Sequence, residues 1–353
     1  MMMNSSDTQQ IKTDGEIKLS VVIVSWNTRD LLKECINSLY DTIRRHDFEA
    51  IVVENLSSDG TQEMIKSEFP QVRLIENSEN LGYAAAANQG LEAAKGAYIL
   101  CLNPDTIVYP DTVERVLGFL EENAEYSAAG CRIKLPGGSY QTAVAKLFRP
   151  LDKFIIYGFS FYLQRAGLFG MAPYDRVQYC DEYLRSNGTV DYMIGAFMMI
   201  RRELLETVGG LDPKFFFCVD DLDWGLRINR AGLKMKHLMD CEILHLANQS
   251  GKGMDRSSAE FRGTAYFWRK HYELLGKLMF DYLRFSMMLR DYTARILHKV
   301  RLEKARRLIF ALYMIICIPV ELLLMVPLEI KHRLLIKKMP SHVALRKGET
   351  GTG

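Results

Sequence analysis

Apolar positions along this chain follow two rhythms that alternate through its first hundred residues. Leu19–Val24, Ala50–Val53, Val72–Ile75 and Tyr98–Leu102 are short, largely apolar runs, each closed by polar or turn-forming residues. Runs without polar alternation predict strands buried on both faces, as in a parallel sheet covered by helices. Between them the spacing becomes helical. Leu31, Leu32, Cys35, Ile36 and Leu39 follow Asp30, and Met64 and Ile65 follow Ser57-Ser58-Asp59-Gly60-Thr61. The small-residue stretch from Asn80 to Ala94 completes the set. Asp30 is the expected cap of the first helix and Gly96 the stop of the third. Strand and helix in alternation predict an α/β fold, a doubly wound and mostly parallel sheet with helices on both faces.

The pattern then loosens. Thr112–Glu122 is an amphipathic helix with Val113, Val116, Leu117 and Leu120 on one face, and Ala128–Ile133 is a short strand. Val190–Arg202 is β-like but interrupted by Gly195-Ala196, which suggests a close approach of backbone to a ligand. A helix from Arg202 to Val208 follows, then one from Asp220 to about Ala231, ended by Gly232, and a short strand Glu242–His245. After Asp255 the chain is helical and basic, with Phe261, Ala265, Phe267, Trp268, Tyr272 and Leu275 set to face the domain. Leu308–Ile330 has the length of a ~20-residue membrane span. Pro319, Glu321, Pro327 and Glu329 interrupt it, however, and basic residues flank both ends, against the positive-inside tendency. The expectation is a helix pair lying on an anionic membrane surface, attracted at ~1 kcal/mol per nearby basic residue. A helix hairpin packed on the domain is the alternative.

Composition sets outer limits. A chain of 353 residues, 48% hydrophobic, can bury one large core with appendages. Its formal charge of +2 does not suggest nucleic acid. The seven cysteines include no C-x-x-C pair, and they read as reduced thiols, mostly core, of a cytosolic protein. Residues 1–17 are polar, carry Asp7, Asp14 and Glu16, and read as a disordered leader rather than a signal peptide. The expected divisions are a catalytic domain at 18–254, split at 110/111, a helical region at 255–340 and a disordered tail at 341–353.

The chemistry gathers at one sheet edge. Ser25, then Glu54 and Asn55, then Asp105 fall at the carboxyl ends of three predicted strands, where open α/β sheets bind ligands. Pro104 ends its strand, and the Asp105 carboxylate just beyond can bind a metal ion, or a diphosphate through one. No G-x-G-x-x-G follows the first strand, which argues against a dehydrogenase-type dinucleotide site. Downstream, Asp220, Asp221 and Asp223 crowd one helix start. The helix dipole favours each acid there by ~0.3–1 kcal/mol, enough for one or two of them. Three beside Phe215–Phe217 point to function. Asp223 is assigned to structure, paired with Arg227 at i,i+4.

Four motifs, in order, resemble the donor half of the inverting family 2 glycosyltransferases, closest to their rhamnosyltransferase-like branch. They are Val21–Asn27, Val53–Gly60, Asn80–Tyr83 with Asn88, and Leu102–Asp105. The resemblance spans roughly residues 18–250 and implies a GT-A fold, a nucleotide-sugar half (18–110) continuous with an acceptor half (111–254). It implies donor contacts from Ser25, Asn27, Glu54, Asn55, Asp59, Gly82, Asn88, Asn103 and Asp105, although the family more often has Asp at the position of Glu54. Gly195, Ala196, Asp220 and Trp224 would border the acceptor, and Asp221 would be the catalytic base, with Asp220 standing where Glu is more usual. Asp105 and His245 would hold a divalent metal, and an oxygen-preferring Mg²⁺ or Mn²⁺ suits such a site. The implied reaction moves a sugar, first choice rhamnose from dTDP-rhamnose, to a hydroxyl of a lipid-linked saccharide. That reaction belongs to cell-envelope or polysaccharide assembly at the inner face of the cytoplasmic membrane. The aromatic run Phe154–Phe169 is then either a buried helix or a surface for that acceptor. Two competitors remain: a nucleotidyltransferase, which lacks its glycine- and basic-rich phosphate loop here, and an inert nucleotide-sugar-binding scaffold, which would not need Asp221.

Overall fold

The computed structural model describes residues 17–44, 47–147, 178–179, 181–246 and 256–299, with single positions between 320 and 334. The leader up to residue 16, the Phe154–Phe169 run, most of Leu308–Ile330, the tail 341–353, Cys180 and Cys317 lie outside the described residues.

The first half follows the predicted alternation element by element. It runs β1 (Leu19–Ser25), α1 (Arg29–Thr42), β2 (Phe48–Glu54), α2 (Thr61–Glu68), β3 (Arg73–Glu76), α3 (Tyr83–Ala93) and β4 (Tyr98–Leu102). Next come β5 (Thr106–Val108), α4 (Thr112–Glu122), β6 (Tyr126–Lys134), β7 (Tyr140–Gln141) and β8 (Val144–Ala145). Then follow α5 (Asp181–Ser186), β9 (Thr189–Val190), β10 (Tyr192–Met193), β11 (Phe197–Arg201), α6 (Glu203–Val208), α7 (Asp220–Arg230), β12 (Lys234–His245) and α8 (Arg256–Lys299).

The sheet order is β3-β2-β1-β4-β11-β6-β12-β5. Along that path only β11 and β5 run against the rest, so the sheet is mostly parallel, as predicted. Every residue of β1 and β4 is buried, the outcome expected of strands covered on both faces. α3 lies close over β1 and β2 because Gly90 faces Val22 and Val53 with no room for a side chain.

Three local departures from expectation have physical reasons. Asp30 does not cap α1: Thr28 occupies the cap position, and Asp30 sits inside the first turn. Pro104 ends β4 as predicted, but the chain turns at once into β5, whose Thr106 pairs with His245 of β12. β12 is also far longer than the predicted Glu242–His245, because its first half pairs with β6 before a register shift between Leu238 and Glu242. The β-like run at 190–202 divides at Gly195-Ala196 into β10, which pairs with β8, and β11, which completes the main sheet. Asp191 anchors this corner: its carboxylate accepts from the Leu147 N–H at 3.0 Å, and its own N–H donates to the Tyr179 hydroxyl at 3.0 Å.

α8 breaks at Glu273, whose φ of 56° is outside the helical range. Its two arms fold against each other, with the Phe261 and Phe280 rings 4.7 Å apart. The first arm buries Phe267, Trp268 and Tyr272, as the sequence pattern anticipates, whereas Phe261 is exposed and meets the second arm instead of the domain. The second leaves Leu274, Leu278, Phe285 and Met288 exposed. Among the described residues no helix is long and apolar enough to cross a membrane. The described cysteines, Cys35, Cys101, Cys131, Cys218 and Cys241, are all free thiols, and all but Cys218 are buried.

Candidate active site

The loops after β1, β2 and β3 are laced together by polar side chains and backbone groups. Ser25 is buried at the end of β1; its hydroxyl pairs with that of Thr28 at 2.8 Å, and its carbonyl accepts the Asn55 N–H at 2.9 Å. Asn27, in the left-handed region at φ 53°, accepts from the Ser58 N–H, while its own N–H donates to Ser57, both at 2.8 Å. Asn55 joins three loops at once. Its amide donates to Asn80 at 2.9 Å and to the Gly82 carbonyl at 3.3 Å, and accepts from Leu81 N–H at 3.0 Å and Asn77 at 3.1 Å. Asp59 fixes two helix starts, accepting from the Arg29 N–H at 2.9 Å and the Thr61 hydroxyl at 2.5 Å. Glu54 is fully buried, and its carboxylate accepts from Leu56 N–H, Ser57 N–H and the Gln62 amide.

Two further predicted donor residues serve as fastenings between the halves. Gly82 packs so closely on Phe216 that a Cβ would meet the Phe216 carbonyl at 2.5 Å, and that carbonyl accepts the Tyr83 N–H at 2.8 Å. The Asn88 amide grips the Leu211 backbone from both sides, at 2.8 and 2.9 Å.

Asp105 is buried between β4 and β5, and His245 ends β12 beside it, Nε2 to Oδ1 3.2 Å. The other ring nitrogen, Nδ1, lies 2.8 Å from the Gln141 amide oxygen, an acceptor, so it carries the hydrogen. Nε2 therefore faces the Asp105 carboxylate oxygen directly. Adjacent ligand atoms of an octahedral ion at ~2.1 Å lie ~3.0 Å apart. The pair therefore fits a divalent cation, with Gln141 fixing the imidazole as an outer-shell partner. Among the described residues no group of three or more metal-binding side chains gathers, so phosphate and water oxygens would complete the coordination.

The acids of α7 form the second cluster. Cys218 and Val219, at φ 65° and 70°, are both left-handed just before the helix, a conformation costing ~1–2 kcal/mol per non-glycine residue. Such strain aims the chain abruptly into Asp220. The three acids then divide by their neighbours. Asp223 is wholly buried, and its carboxylate stays well below the usual range: burial opposes ionisation, but donors on His271, Lys270 and Arg227 outweigh it. The predicted Arg227 pairing is present at 2.8 Å. Asp220 has no such cations; burial first, and the Asp221 charge second, push it up to about 8. Asp221 is partly exposed and is raised by burial, against hydrogen bonds from the Leu222 and Gly195 N–H groups. Asp220 is thus held toward its protonated form, and Asp221 is the more exposed of the two.

The clusters connect through one strand end. The Asn103 N–H donates to the Ala196 carbonyl at 3.1 Å, and the adjacent Gly195 N–H bonds Asp221. Trp224 is buried, with Nε1 donating to Gly209 at 3.0 Å, which makes it a core residue of the acceptor half. Sequence reasoning missed Gln141, Tyr83, Lys270 and His271. Tyr83 lies within a quoted motif, and its hydroxyl lies over Gly195, 3.6 Å from where a Cβ there would be. Nothing in the spacing signals the other three.

A mostly parallel sheet with its polar groups at one edge and an acid-headed helix beside it is the arrangement of a GT-A glycosyltransferase. The solved mannosyltransferase PcManGT of Pyrobaculum calidifontis shares the fold, with a TM-score of 0.53 at 18% identity over 95% of this chain and 89% of that one. The chain belongs to glycosyl transferase family 2, whose profile matches residues 20–209. It is 27% identical over 239 residues to the N-acetylglucosaminyl-diphospho-decaprenol L-rhamnosyltransferase of Mycobacterium tuberculosis, covering 64% of this chain and 75% of the relative. It is 22% identical to the rhamnosyltransferase WbbL of Escherichia coli, covering 66% of this chain and 84% of the relative. The family match ends before Asp220, so the roles of the α7 acids rest on their own geometry.

Proposed function

We propose that this glycosyltransferase inverts the donor's anomeric carbon, using Asp221 to accept the proton of the attacking acceptor hydroxyl. The arrangement of the α7 acids supports this reading: Asp221 is the most exposed of the three, and the Gly195 N–H bonds it beside the strand end that meets Asn103. General-base assistance of this kind is worth ~10²–10⁴-fold. The laced loops around Ser25, Asn27, Asn55 and Asp59 would hold the nucleoside, with Asn103 and Asp105 nearest the diphosphate. Asp105 and His245 would hold Mg²⁺ or Mn²⁺; the Pyrobaculum relative was solved with GDP-mannose and Mn²⁺. When bound, the cation offsets charge gathering on the leaving diphosphate. Gly195, Ala196 and Asp220 would border the acceptor.

The donor of first choice is dTDP-rhamnose and the acceptor a lipid-linked saccharide, supported by the two rhamnosyltransferase relatives, one of them named for a diphospho-decaprenol substrate. The exposed apolar face of α8 and the basic residues after Arg284 support peripheral attachment to an anionic membrane on its cytoplasmic side. Co-sedimentation with anionic vesicles should weaken as salt rises and vanish on deleting residues 284–353; binding indifferent to both changes rejects the attachment. The central experiment incubates the protein with Mn²⁺, an undecaprenyl-diphosphate-N-acetylglucosamine acceptor and a panel of nucleotide sugars. Transfer from dTDP-rhamnose with inversion is expected. Transfer with retention of configuration would reject Asp221 as base, and exclusive use of another nucleotide sugar would reject the donor.

A further inference from the structure

The first arm of α8 touches the acid helix on both sides of Asp221. Before it, Gly263 lies against the strained pair Cys218-Val219; a Cβ there would meet the Cys218 carbonyl at 3.1 Å and Val219 at 3.3 Å. After it, Asp223 Oδ1 accepts from Lys270 Nζ and His271 Nε2, each at 2.7 Å. Two turns further along α7, Arg230 donates to His271 Nδ1 at 2.8 Å. A guanidinium only donates, so Nδ1 is the acceptor and the hydrogen sits on Nε2, facing Asp223. His271 is thus a neutral bridge fixed in one tautomer, joined at both ends to α7. Lys270 extends the grip to the preceding loop, donating also to Asp212 at 2.7 Å, where the Tyr266 hydroxyl binds at 3.0 Å.

We propose that His271 and Lys270 are positioning residues for Asp221: the α8 arm clasps α7 at Asp223 and Arg230 and, through Gly263, braces the left-handed turn that aims the base. Neither residue touches Asp221 or the cleft among the contacts described, so their effect passes through the helix. The inference rests on the reading of Asp221 as base, and it makes the C-terminal helical region part of the catalytic apparatus rather than only an attachment device. Small displacements of a catalytic group cost up to ~10²-fold in rate, while the donor cradle, built from the loops after β1, β2 and β3, is left alone.

The test compares His271→Ala with His271→Gln in the full chain. Gln can donate to Asp223 through its amide nitrogen and accept from Arg230 through its oxygen. His271→Ala should lower kcat ~10–100-fold, with donor dissociation constant and acceptor KM within about twofold, and His271→Gln should recover most of the loss. In an Asp221→Asn background, His271→Ala should cost almost nothing more, since the two act as one unit. Normal kcat in His271→Ala, or a loss that adds in full to that of Asp221→Asn, overturns the clasp. A fall in donor affinity equal to the fall in kcat does so too, because it marks general loosening. Gly263→Ala keeps every ion pair and is read by the same measures if His271→Ala does not fold. Turnover that survives in Asp221→Asn alone would instead remove the base assignment, whatever the His271 variants do.

Discussion

The two polar clusters at the sheet edge are built on opposite plans. At the donor edge, loops bond to loops through amides and hydroxyls, and Asn55 alone ties its own loop to two others. The carboxyl groups there, on Asp59 and Glu54, accept from backbone N–H groups and neutral side chains. At α7 three carboxylates within one turn are kept in different states by what surrounds each. The first plan gives a cradle whose shape follows from mutual hydrogen bonding. The second gives reactivity, because one acid of the three is left reachable. Rigidity comes from satisfying every group; chemistry comes from giving three like groups unlike surroundings.

Several substitutions bear on this contrast. The largest effect should come from Asp223→Ala, which leaves Lys270, Arg227 and the His271 bridge without their anion. Breaking a buried pair from one side costs ~3–5 kcal/mol, so a urea melt should show a loss of that order. A loss under ~1 kcal/mol would mean the site tolerates the cations unpaired. Asp223 also fixes an acid limb: its folded-state value is depressed, so the stability it contributes is present above the ordinary carboxylate range and is lost as pH falls below it.

Next in size, Asp221→Asn should reduce turnover at least ~10²-fold with donor affinity unchanged, whereas Asp220→Asn should cost far less. The reverse order in steady-state rates would exchange the roles of the two acids. Asp105→Ala should weaken Mn²⁺-dependent donor binding by at least ~10-fold, read by calorimetry against an unchanged melting temperature. Equal affinity in a folded mutant would remove Asp105 from the site.

The smallest effect is a slope. Asp220 keeps its proton in the folded chain up to about pH 8, while in the unfolded chain it is lost near the ordinary carboxylate value of ~3.9. Between those limits the folded state binds the extra proton, so stability falls as pH rises through the window. In Asp220→Asn that part of the slope should disappear. An unchanged slope in paired melts from pH 4 to 8 would assign it to other groups.

Much of this was legible in the sequence because it is local. Buried strands announce themselves as unbroken apolar runs, and Pro104 marks the end of β4 within a residue. The Asp223–Arg227 pair follows from one helical turn. What was not legible depends on residues distant in sequence meeting in space. Nothing near Asp223 announces His271, and nothing near His245 announces Gln141. Strand β5 was hidden for another reason: its three residues are too few to show a rhythm, and it exists because β12 offers them an edge. Asp30 misled because capping chemistry favours Asp over a residue such as Thr28 only when local geometry is free to choose. Here the Ser25–Thr28 hydroxyl pair fixes the entry to α1.

Asp191, at the corner between β9 and β10, has one more consequence. Leu147 and Tyr179 both bond to it, so two strips of chain far apart in sequence are riveted at one residue. Asp191→Ala frees the first strip and Tyr179→Phe the second, and each should lower the melting temperature. An unchanged melting temperature in both variants would show that neither bond holds the corner.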